Sequence, residues 1–336
     1  MDGEKIKMQE KIDVLMATYN GEKYLKEQID SILNQTYQNI QLIISDDCST
    51  DGTREILKQY EKDDRVKVFY QEKNLGYVRN FEFLLEKVEN DLYMLSDQDD
   101  VWKKEKVEKS VEKLKNEELD LVFGDLEVVD ENLNTIYESF DKYMKIDRKI
   151  DRCIGSYKLQ YLYNCVTGCT ILSKKKYLDK ILPLPKSSKY MIHDYWIALI
   201  VAINGKVGYL KETYIKYRQH GDNQVGTGKE SYQFKKLEQV RNLFIEVKLG
   251  IFTAYVENEQ QFPDFLKKQN KEALEYYQRL QKIKTFNFRG WNLFYELYKE
   301  ETWLYFIENF VILNMPFLAK IVFSIRYQIL KMLGKR

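Results

Sequence analysis

Proline, glycine, histidine and cysteine are all scarce in this sequence. With four prolines and 15 glycines in 336 residues, the chain is not expected to contain long disordered linkers. The opening residues, 1–11, are charged and lack the apolar core of a signal peptide, so we expect a cytosolic protein. The net charge is only +1, and without a basic field nucleic acid is not an expected partner.

The shortage of cysteine and histidine argues against a soft-metal centre. Cys165 and Cys169 are four residues apart, but only two histidines, His193 and His220, are present to complete a zinc site. All four cysteines are therefore expected to be free thiols in a reducing compartment. No Ser-His-Asp or Cys-His arrangement stands out as a nucleophilic site.

The first half of the sequence alternates between short apolar runs and segments with helical spacing. Strands are predicted over residues 12–17, 40–44, 66–70, 92–95 and 119–123. Helices are predicted over residues 24–33, 53–61, 77–88 and 103–115. This alternation favours an α/β fold with a mostly parallel, Rossmann-like sheet flanked by helices.

The pattern loosens after about residue 130. A strand is predicted over residues 166–172, a buried helix over 191–203, and two short strands over 207–210 and 213–217. From residue 229 the sequence becomes helical and rich in lysine, glutamate and aromatic residues.

The last segment, from Trp303 to Arg336, is strongly apolar, but its longest uncharged run is too short to cross a bilayer. Beyond Pro316, the polar residues fall within one narrow helical sector: Lys320, Ser324, Gln328, Lys331 and Lys335. A basic amphipathic helix of this kind suits the surface of an anionic membrane. The alternative is a helix that packs on its own domain or on a second subunit.

Three carboxylates crowd into residues 96–102, whose sequence is SDQDDVW. The aspartates at positions 97, 99 and 100 directly follow a predicted strand, and open α/β sheets bind ligands at the carboxyl ends of their strands. Carboxylates packed this closely repel one another unless a cation is present, and their hard oxygens favour Mg²⁺ or Mn²⁺. The alternative is an acidic loop that caps the next helix.

The first two predicted strands also end in residues suited to a nucleotide. Tyr19 follows the first strand, and its ring can stack on a base. Asp47 follows the second strand, and its carboxylate can accept a hydrogen bond from the imide N–H of uracil or thymine. Each aspartate alone is more often a helix cap. In this order, however, the strand ends predict a nucleotide whose diphosphate lies at the acidic segment with a divalent ion.

These stretches resemble the nucleotide-binding half of family 2 glycosyltransferases, which have the A-type glycosyltransferase fold. The matching segments are residues 15–21, 31–37, 45–53, 74–76 and 97–100, and the resemblance continues to about residue 226. The SDQDDVW segment, together with YRQHGDN at 217–223, is most similar to bacterial rhamnosyltransferases that assemble cell-wall rhamnose polysaccharides. Sibling enzymes that move other sugars share these stretches.

The resemblance implies a role for each candidate residue. The donor would be bound by Thr18, Tyr19, Asn20, Asp47, Asn74, Gly76, Arg79, Asp97 and Arg218. Mg²⁺ or Mn²⁺ would be held by Asp99 and Asp97, with His220 as a later metal or diphosphate ligand. Asp194 would be the catalytic base, and the acceptor would contact Trp102, Thr167, Gly168 and His193.

Simpler structural roles stay open for several of these residues. They are a helix cap for Asp194, an ordinary helix position for His193, a loop position bonded to backbone for His220, surface charges for Arg79 and Arg218, and the core for Trp102.

The resemblance also implies the domain organisation and the reaction. We expect a catalytic domain over 1–228, with a nucleotide-sugar half at 11–125 and an acceptor half at 126–228, followed by a helical region over 229–336. The expected reaction is an inverting transfer of L-rhamnose from dTDP-rhamnose to a lipid-linked saccharide, on the inner face of the cell membrane. The alternatives are a UDP donor of another sugar and a non-catalytic scaffold. A nucleotidylyltransferase would need a basic, Gly-rich loop at 16–21, which is missing.

Overall fold

A computed structural model of the chain describes residues 10–144, 146–147, 150–151, 154, 156–186, 190–221, 237–282, 291–298, 310 and 313–314. These residues divide into two compact units. The first unit takes the described residues up to Leu184 and those from His193 to Thr227, and the second takes those of 185–192 and those from Gly228 onward.

The first unit contains strands and helices in alternation over most of its length. Its strands are β1 (Ile12–Thr18), β2 (Ile40–Asp46), β3 (Val66–Tyr70), β4 (Leu92–Ser96), β5 (Val101–Trp102), β6 (Leu121–Gly124), β7 (Glu127–Val129), β8 (Thr135–Tyr137), β9 (Leu172–Lys174), β10 (Val207–Leu210) and β11 (Ile215–Arg218). Its helices are α1 (Leu25–Leu33), α2 (Thr53–Tyr60), α3 (Tyr77–Glu86), α4 (Lys106–Asn116), α5 (Phe140–Met144), α6 (Tyr157–Leu162), α7 (Leu178–Ile181) and α8 (His193–Asn204).

The main sheet has seven strands in the order β10-β6-β9-β4-β1-β2-β3. Strand β1 runs parallel to both β2 and β4, whereas β9 is antiparallel to β4 and β6. The central strands are apolar almost throughout because helices cover both faces of the sheet. Helix α1, for example, buries Leu25, Ile29 and Ile32, which recur at the spacing of one helix face. The predicted mostly parallel α/β fold is confirmed.

The register of the central strands brings three loops to one edge. Thr18 at the end of β1 lies opposite Asp46 on β2, and Met16 lies opposite Ser96 at the end of β4. The loops that begin at Tyr19, Asp47 and Asp97 therefore leave the sheet side by side.

A second, four-stranded sheet has the order β5-β11-β7-β8 and was not predicted. Its strand β5 has two residues and pairs with β11, where Trp102 lies opposite Ile215. The acidic loop is thus held at both ends, by β4 of the first sheet and by β5 of the second.

The strand predicted over residues 166–172 is wrong for most of its length. Residues Gly168–Thr170 form a 3₁₀ turn, and the strand β9 begins only at Leu172. The turn forms because both the backbone N–H and the side-chain hydroxyl of Thr170 donate to the carbonyl of Thr167.

The second unit is helical, with α9 (Leu237–Glu257), α10 (Asp264–Lys282) and α11 (Trp291–Tyr298). Aromatic residues join these helices, and the hydroxyls of Tyr277 and Tyr298, for example, share a 2.6 Å hydrogen bond. Within the part of the chain that the structure describes, no helix has the length and apolar character needed to span a bilayer. The amphipathic helix predicted beyond Pro316 lies outside the described residues.

The cysteines differ from expectation in one respect. Cys48 and Cys169 are free thiols, as predicted. Cys165 forms a disulfide bond, so the expectation of a free thiol is wrong for that residue.

Candidate active site

Gln98 ties the acidic loop to the loop after β1. Its Oε1 accepts hydrogen bonds from the Thr18 hydroxyl at 2.6 Å and from the Tyr19 N–H at 2.8 Å. Its Nε2 donates to the Tyr19 carbonyl at 3.1 Å. Gly21 leaves room for this arrangement, since a Cβ at that position would lie 2.4 Å from Gln98 Oε1. The sequence pattern did not single out Gln98, because an uncharged residue among three aspartates carries no signal of its own.

The loop after β1 contains Tyr19, whose ring is exposed, and Asn20, whose side chain joins this loop to the next. Tyr19 is 45% exposed, so its ring is available for stacking. Asn20 has a φ of 48°, a conformation that asparagine tolerates better than most residues. Its N–H donates to Ser49 Oγ and its Oδ1 accepts from the Thr50 N–H, both at 2.9 Å. Asn20 therefore joins the first loop to the second.

The two adjacent aspartates after β2 have different partners. Asp46 is fully buried and forms an ion pair with Arg54 at 2.6 Å. Asp47 accepts the backbone N–H groups of Leu75 at 2.6 Å and Gly76 at 2.9 Å. The Asp47 carboxylate thus fixes the turn that precedes α3.

The turn before α3 also contains two other donor-binding candidates. Asn74 accepts the Gly76 N–H at 3.1 Å, and Gly76 has a φ of 79°, which favours glycine. Arg79, in the first turn of α3, pairs with Glu82 and donates to the Leu184 carbonyl at 3.2 Å. The structure therefore places Arg79 in an ion pair, and its contact with a donor stays a prediction.

Asp99 and His220, which we call the outer pair, come together across the two sheets. Asp99 Oδ2 lies 2.9 Å from His220 Nε2, although 121 residues separate them in the sequence. The His220 ring also packs against Tyr24, with 4.9 Å between ring centroids. The outer pair joins a carboxylate and an imidazole, which are both ligands for divalent ions.

Arg218 anchors the acidic loop through its backbone N–H and its side chain. Its backbone N–H donates to Asp100 Oδ1 at 3.2 Å, and its Nε donates to the Asp99 carbonyl at 2.8 Å. The guanidinium also pairs with Glu27 and lies 4.5 Å from the Tyr24 ring centroid. Only 2% of Arg218 is exposed, so this arginine positions the loop instead of lying on the surface.

A second acidic group lies deeper in the site. The ligand atoms of Asp97, Asp100 and Cys169, which we call the inner cluster, all lie within 4.8 Å of one another. Burial and the neighbouring carboxylates raise the pKa of Asp97 to about 7. The same causes raise the pKa of Asp100 above its ordinary range.

Lys106 and Trp102 lie beside the inner cluster. Lys106 Nζ is 3.2 Å from the centroid of the Trp102 ring, and only 2% of this lysine is exposed. Trp102 is 3% exposed and belongs to the core, so its predicted contact with the acceptor is corrected: a buried ring offers no face to a ligand. The sequence alone does not single out Lys106, because its pattern is that of an ordinary charged residue of a helix.

The predicted base, Asp194, is in the first turn of α8 and 7% exposed. Its Oδ2 accepts the Gly168 N–H at 3.1 Å, and its Oδ1 accepts from Asn164 Nδ2 at 3.3 Å and from the Tyr195 N–H. Burial raises the pKa of Asp194 to about 7, although these hydrogen bonds oppose the shift. Asp194 also interacts electrostatically with Asp97, so both carboxylates belong to one site.

His193 precedes Asp194 and forms part of an aromatic wall. Its ring stacks on Phe81 with 4.1 Å between centroids, and Tyr77 approaches it edge-on at 6.2 Å. Burial lowers the pKa of His193 to about 3, so the imidazole is neutral at physiological pH. Tyr77 was not among the predicted site residues, yet it is 40% exposed and interacts electrostatically with Asp194.

Gly168 and Thr167 bring the 3₁₀ turn against the start of α8. A Cβ on Gly168 would lie 3.2 Å from His193 Nε2 and 3.3 Å from Asp194 Cβ, so only glycine fits without displacement of its neighbours. Thr167 adjoins this contact and accepts the hydrogen bonds that form the turn. The predicted acceptor-side residues other than Trp102 are thus assembled around Asp194.

Comparison with known proteins identifies relatives of this chain. Its sequence is 42% identical over 102 residues to the putative teichuronic acid biosynthesis glycosyltransferase TuaG of Bacillus subtilis; the match covers 30% of this chain and 40% of TuaG. It is 28% identical over 241 residues to the dTDP-rhamnosyl transferase RfbG of Shigella flexneri, covering 68% of this chain and 79% of RfbG.

A solved structure shares the fold. The crystal structure of S. aureus TarS 1–349 in complex with UDP-GlcNAc superposes with a TM-score of 0.55 at 18% identity, covering 94% of this chain and 87% of that one. The family model of glycosyl transferase family 2 matches residues 13–182, which is half of the chain. The chain therefore belongs to glycosyl transferase family 2.

Proposed function

We propose that the chain is a metal-dependent, inverting glycosyltransferase that transfers a sugar from a nucleoside diphosphate to a saccharide hydroxyl in cell-wall or capsular polysaccharide synthesis. The observation that carries the proposal is the setting of Asp194. Its buried carboxylate has a pKa of about 7 and interacts electrostatically with Asp97 of the acidic loop. This setting supports a site in which one carboxylate accepts a proton and others hold a metal ion.

The donor side suits a nucleotide with a pyrimidine base. The exposed Tyr19 ring supplies a stacking face, and Asp47 lies at the adjacent strand end. Each oxygen of the Asp47 carboxylate accepts one backbone N–H, which leaves lone pairs free for a base imide. The UDP-GlcNAc complex of TarS supports nucleotide-sugar binding by this fold.

The described residues also suit a divalent ion. Asp99 and Asp97 offer carboxylate oxygens, and His220 offers an imidazole 2.9 Å from Asp99, a donor set that fits Mn²⁺ or Mg²⁺. When bound, such an ion offsets the charge that develops on the leaving diphosphate. Arg218 and Gln98 keep the acidic loop in place for this purpose.

Asp194 takes the proton of the attacking acceptor hydroxyl. A pKa of about 7 makes this carboxylate a stronger base than an ordinary aspartate, which suits proton transfer near neutral pH. The neutral His193 ring and Tyr77 line the same side of the site. With one base and no enzyme nucleophile, the sugar is inverted at its anomeric carbon.

The donor that we favour is dTDP-rhamnose. Its support is the SDQDDVW and YRQHGDN segments and the 28% identity to RfbG over 68% of this chain. A UDP donor of galactose, glucose or an N-acetylhexosamine is the second candidate, favoured by the fold shared with TarS.

The test is a panel assay with the full chain. dTDP-rhamnose, UDP-glucose, UDP-galactose and UDP-GlcNAc would each be incubated with Mg²⁺ or Mn²⁺, and release of the nucleoside diphosphate would be recorded. We expect slow hydrolysis of dTDP-rhamnose above the others and its loss on addition of EDTA. If the nucleoside diphosphate is released only from a UDP-sugar, that UDP-sugar becomes the proposed donor. If no nucleotide sugar shows metal-dependent release, the proposed function is contradicted.

We further propose that the acceptor is lipid-linked and that the protein binds the inner face of the cell membrane through its C-terminal segment. The support is the basic amphipathic pattern beyond Pro316. Truncation after Met315 should lower sedimentation with anionic vesicles, and high salt should weaken binding of the full chain. If the full chain ignores vesicles of every charge, the segment serves packing or dimer formation instead.

A further inference from the structure

Tyr77 is an exposed aromatic residue at the start of α3, and the loop after β2 fixes its backbone. The N–H of Gly76, the preceding residue, donates to Asp47 Oδ2 at 2.9 Å, and the Leu75 N–H donates to Asp47 Oδ1 at 2.6 Å. The Gly76 carbonyl then accepts the Asn80 N–H at 2.9 Å, which begins the hydrogen bonding of the helix. The direction in which the Tyr77 side chain leaves the backbone is therefore set by the donor-side loop.

The Tyr77 ring is the exposed member of a group of three rings. It approaches the His193 ring edge-on, with 6.2 Å between centroids and 71° between the ring planes. The His193 ring in turn stacks on Phe81, with 4.1 Å between centroids. Phe81 is 3% exposed and His193 7%, whereas Tyr77 is 40% exposed. Of these three rings, Tyr77 is therefore the one that a ligand can reach.

The three rings lie beside the proposed base. His193 directly precedes Asp194, whose Oδ2 accepts the Gly168 N–H at 3.1 Å. A Cβ on Gly168 would lie 3.2 Å from His193 Nε2 and 3.3 Å from Asp194 Cβ, so the imidazole and the aspartate border the same 3₁₀ turn. The Tyr77 ring thus belongs to the acceptor side of the site, whereas Tyr19 supplies an exposed ring on the donor side.

An exposed aromatic ring in this place suits a cyclic sugar. A pyranose ring has C–H groups directed to its faces, and their partial positive charge is attracted to the negative face of an aromatic ring. Binding sites for small ligands combine such contacts with a few polar groups that fix orientation, and Asp194 is such a group here. A linear polyol offers the same hydroxyls without a rigid C–H face, so it gains less from the ring.

We propose that Tyr77 is an acceptor-binding residue that selects a cyclic sugar, because its ring packs against the C–H face of the sugar whose hydroxyl is deprotonated by Asp194. The inference rests on the proposed function for the role of Asp194. It goes further in naming the residue that recognises the acceptor and the class of acceptor: a chain that ends in a pyranoside, and not in a linear polyol.

The first measurement is saccharide binding, which requires no turnover. Methyl α-L-rhamnopyranoside, methyl β-D-glucopyranoside and methyl N-acetyl-β-D-glucosaminide would each be titrated into the full chain and followed by saturation-transfer NMR. D-Glucitol is the linear counterpart of the glucoside. The proteins compared would be the wild type, Tyr77→Phe, Tyr77→Ala and Tyr295→Ala. Tyr295 is the matched control, since it is an aromatic residue of α11 in the second unit and is 47% exposed.

We expect the wild type to transfer saturation to the ring C–H protons of at least one pyranoside and to bind glucitol more weakly. Tyr77→Ala should raise the apparent Kd for that pyranoside by about tenfold. Tyr77→Phe keeps the ring face and should stay within about twofold of the wild type. Tyr295→Ala should bind the pyranoside as the wild type does.

The second measurement separates a contact with the acceptor from a supporting role for Asp194. Hydrolysis of the sugar donor identified by the panel assay uses water as the acceptor, so it requires Asp194 but no saccharide. Tyr77→Ala should therefore keep the hydrolysis rate and the KM for the donor. A rise in the donor KM would assign the ring to the nucleotide, and a loss of hydrolysis would make Tyr77 a support for Asp194. Either result would overturn the inference.

The binding data can overturn the inference as well. They do so if no pyranoside binds the wild type, if glucitol binds as tightly as the glucoside, or if folded Tyr77→Ala binds as the wild type does. A loss in Tyr77→Phe equal to that in Tyr77→Ala would show that the hydroxyl is recognised instead of the ring face. Circular dichroism would report folding, and Tyr77→Leu would take the place of an alanine variant that does not fold.

Failure of this inference can be told apart from failure of the proposed function. Metal-dependent release of the nucleoside diphosphate, without binding that depends on Tyr77, would contradict the acceptor contact alone. Binding that depends on Tyr77, without release from any nucleotide sugar, would contradict the proposed function and leave the contact between the ring and a pyranoside in place.

Discussion

The donor side and the acceptor side of this site are built from different kinds of element. On the donor side, three loops leave adjacent parallel strands, and side chains such as Gln98 and Asp47 join each loop to its neighbour. On the acceptor side, a 3₁₀ turn meets the first turn of α8, and one hydrogen bond from Gly168 to Asp194 joins them. The donor side is thus held by strand register, whereas the acceptor side is held by hydrogen bonds from Gly168 and Asn164 to Asp194.

The two sides also differ in what surrounds their carboxylates. Asp99 faces the His220 imidazole at 2.9 Å, and the two side chains together offer ligand atoms for a cation. Asp194 is buried beside aromatic rings, and burial raises its pKa despite three hydrogen bonds to it. In the proposed function, similar side chains would therefore serve as metal ligand on one side and as proton acceptor on the other.

The largest effect of a substitution on turnover is expected at Asp99, on the donor side. Asp99→Asn keeps the shape of the side chain but weakens the ligand set for the metal, so transfer should fall below detection while the fold is kept. Asp91→Asn is the matched control, because Asp91 is an exposed residue just before β4. Turnover would be measured at saturating Mn²⁺, with circular dichroism for folding. Normal turnover by folded Asp99→Asn would remove the metal assignment.

Asp194→Asn should lower the transfer rate without lowering donor affinity, because it changes only the acceptor side. Asparagine keeps the volume of the side chain but cannot take a proton, so the transfer rate should fall by about two to four orders of magnitude. Donor affinity should stay within a few-fold of the wild type, because the donor side is anchored by other strands. Donor titration and turnover would be measured for the same protein, with the exposed Asp179→Asn as control. Loss of donor binding would move Asp194 to the nucleotide site.

The same difference explains which parts of the site could be predicted from the sequence. The ends of β1, β2 and β4 follow clear apolar runs, so Tyr19, Asp47 and the acidic segment could be placed at one edge. The apolar stretch from Val166 gave a misleading strand signal, since the Thr170 hydroxyl bonds the Thr167 carbonyl and the segment forms a 3₁₀ turn. Local patterns do not reveal this competition between a side chain and a strand ladder.

Long-range pairs formed the other limit of prediction. The contacts of His220 with Asp99 and of Arg218 with Asp100 cross more than a hundred residues and require the second sheet. Strand β5 has only two residues, which is too short to give a periodic signal. The burial of Trp102 follows from the same sheet and was equally hidden in the sequence.

The acceptor side should also control the pH dependence of turnover. In the proposed mechanism Asp194 can act as a base only when it is deprotonated, and its pKa is raised from 3.8 to about 7. The rate should therefore be constant above about pH 7 and fall about tenfold for each unit below it. The residual activity of Asp194→Asn should lack this acidic limb. A wild-type profile that is flat from about pH 5 to 8 would show that another group takes the proton.

The smallest effect is expected at Gly21, on the donor side. Gly21→Ala places a Cβ 2.4 Å from Gln98 Oε1, so the Gln98 amide must move and lose its hydrogen bonds to Thr18 and Tyr19. We expect the unfolding free energy to fall by about 1 to 3 kcal/mol and the KM for the donor to rise a few-fold, with little change in kcat. Gly221→Ala is the control, since nothing lies within 4 Å of its added Cβ.

A double variant makes the Gly21 prediction specific. Gln98→Ala removes the same hydrogen bonds without a clash, so Gly21→Ala combined with Gln98→Ala should be no less stable than Gln98→Ala alone. Denaturant unfolding of the four proteins would give the coupling free energy. Additive losses would mean that the alanine at position 21 disturbs something other than Gln98, and the link between the first and third donor loops would then lie elsewhere. Strong coupling would instead show that Gly21 acts through Gln98, the side chain that links the loop after β1 to the loop after β4.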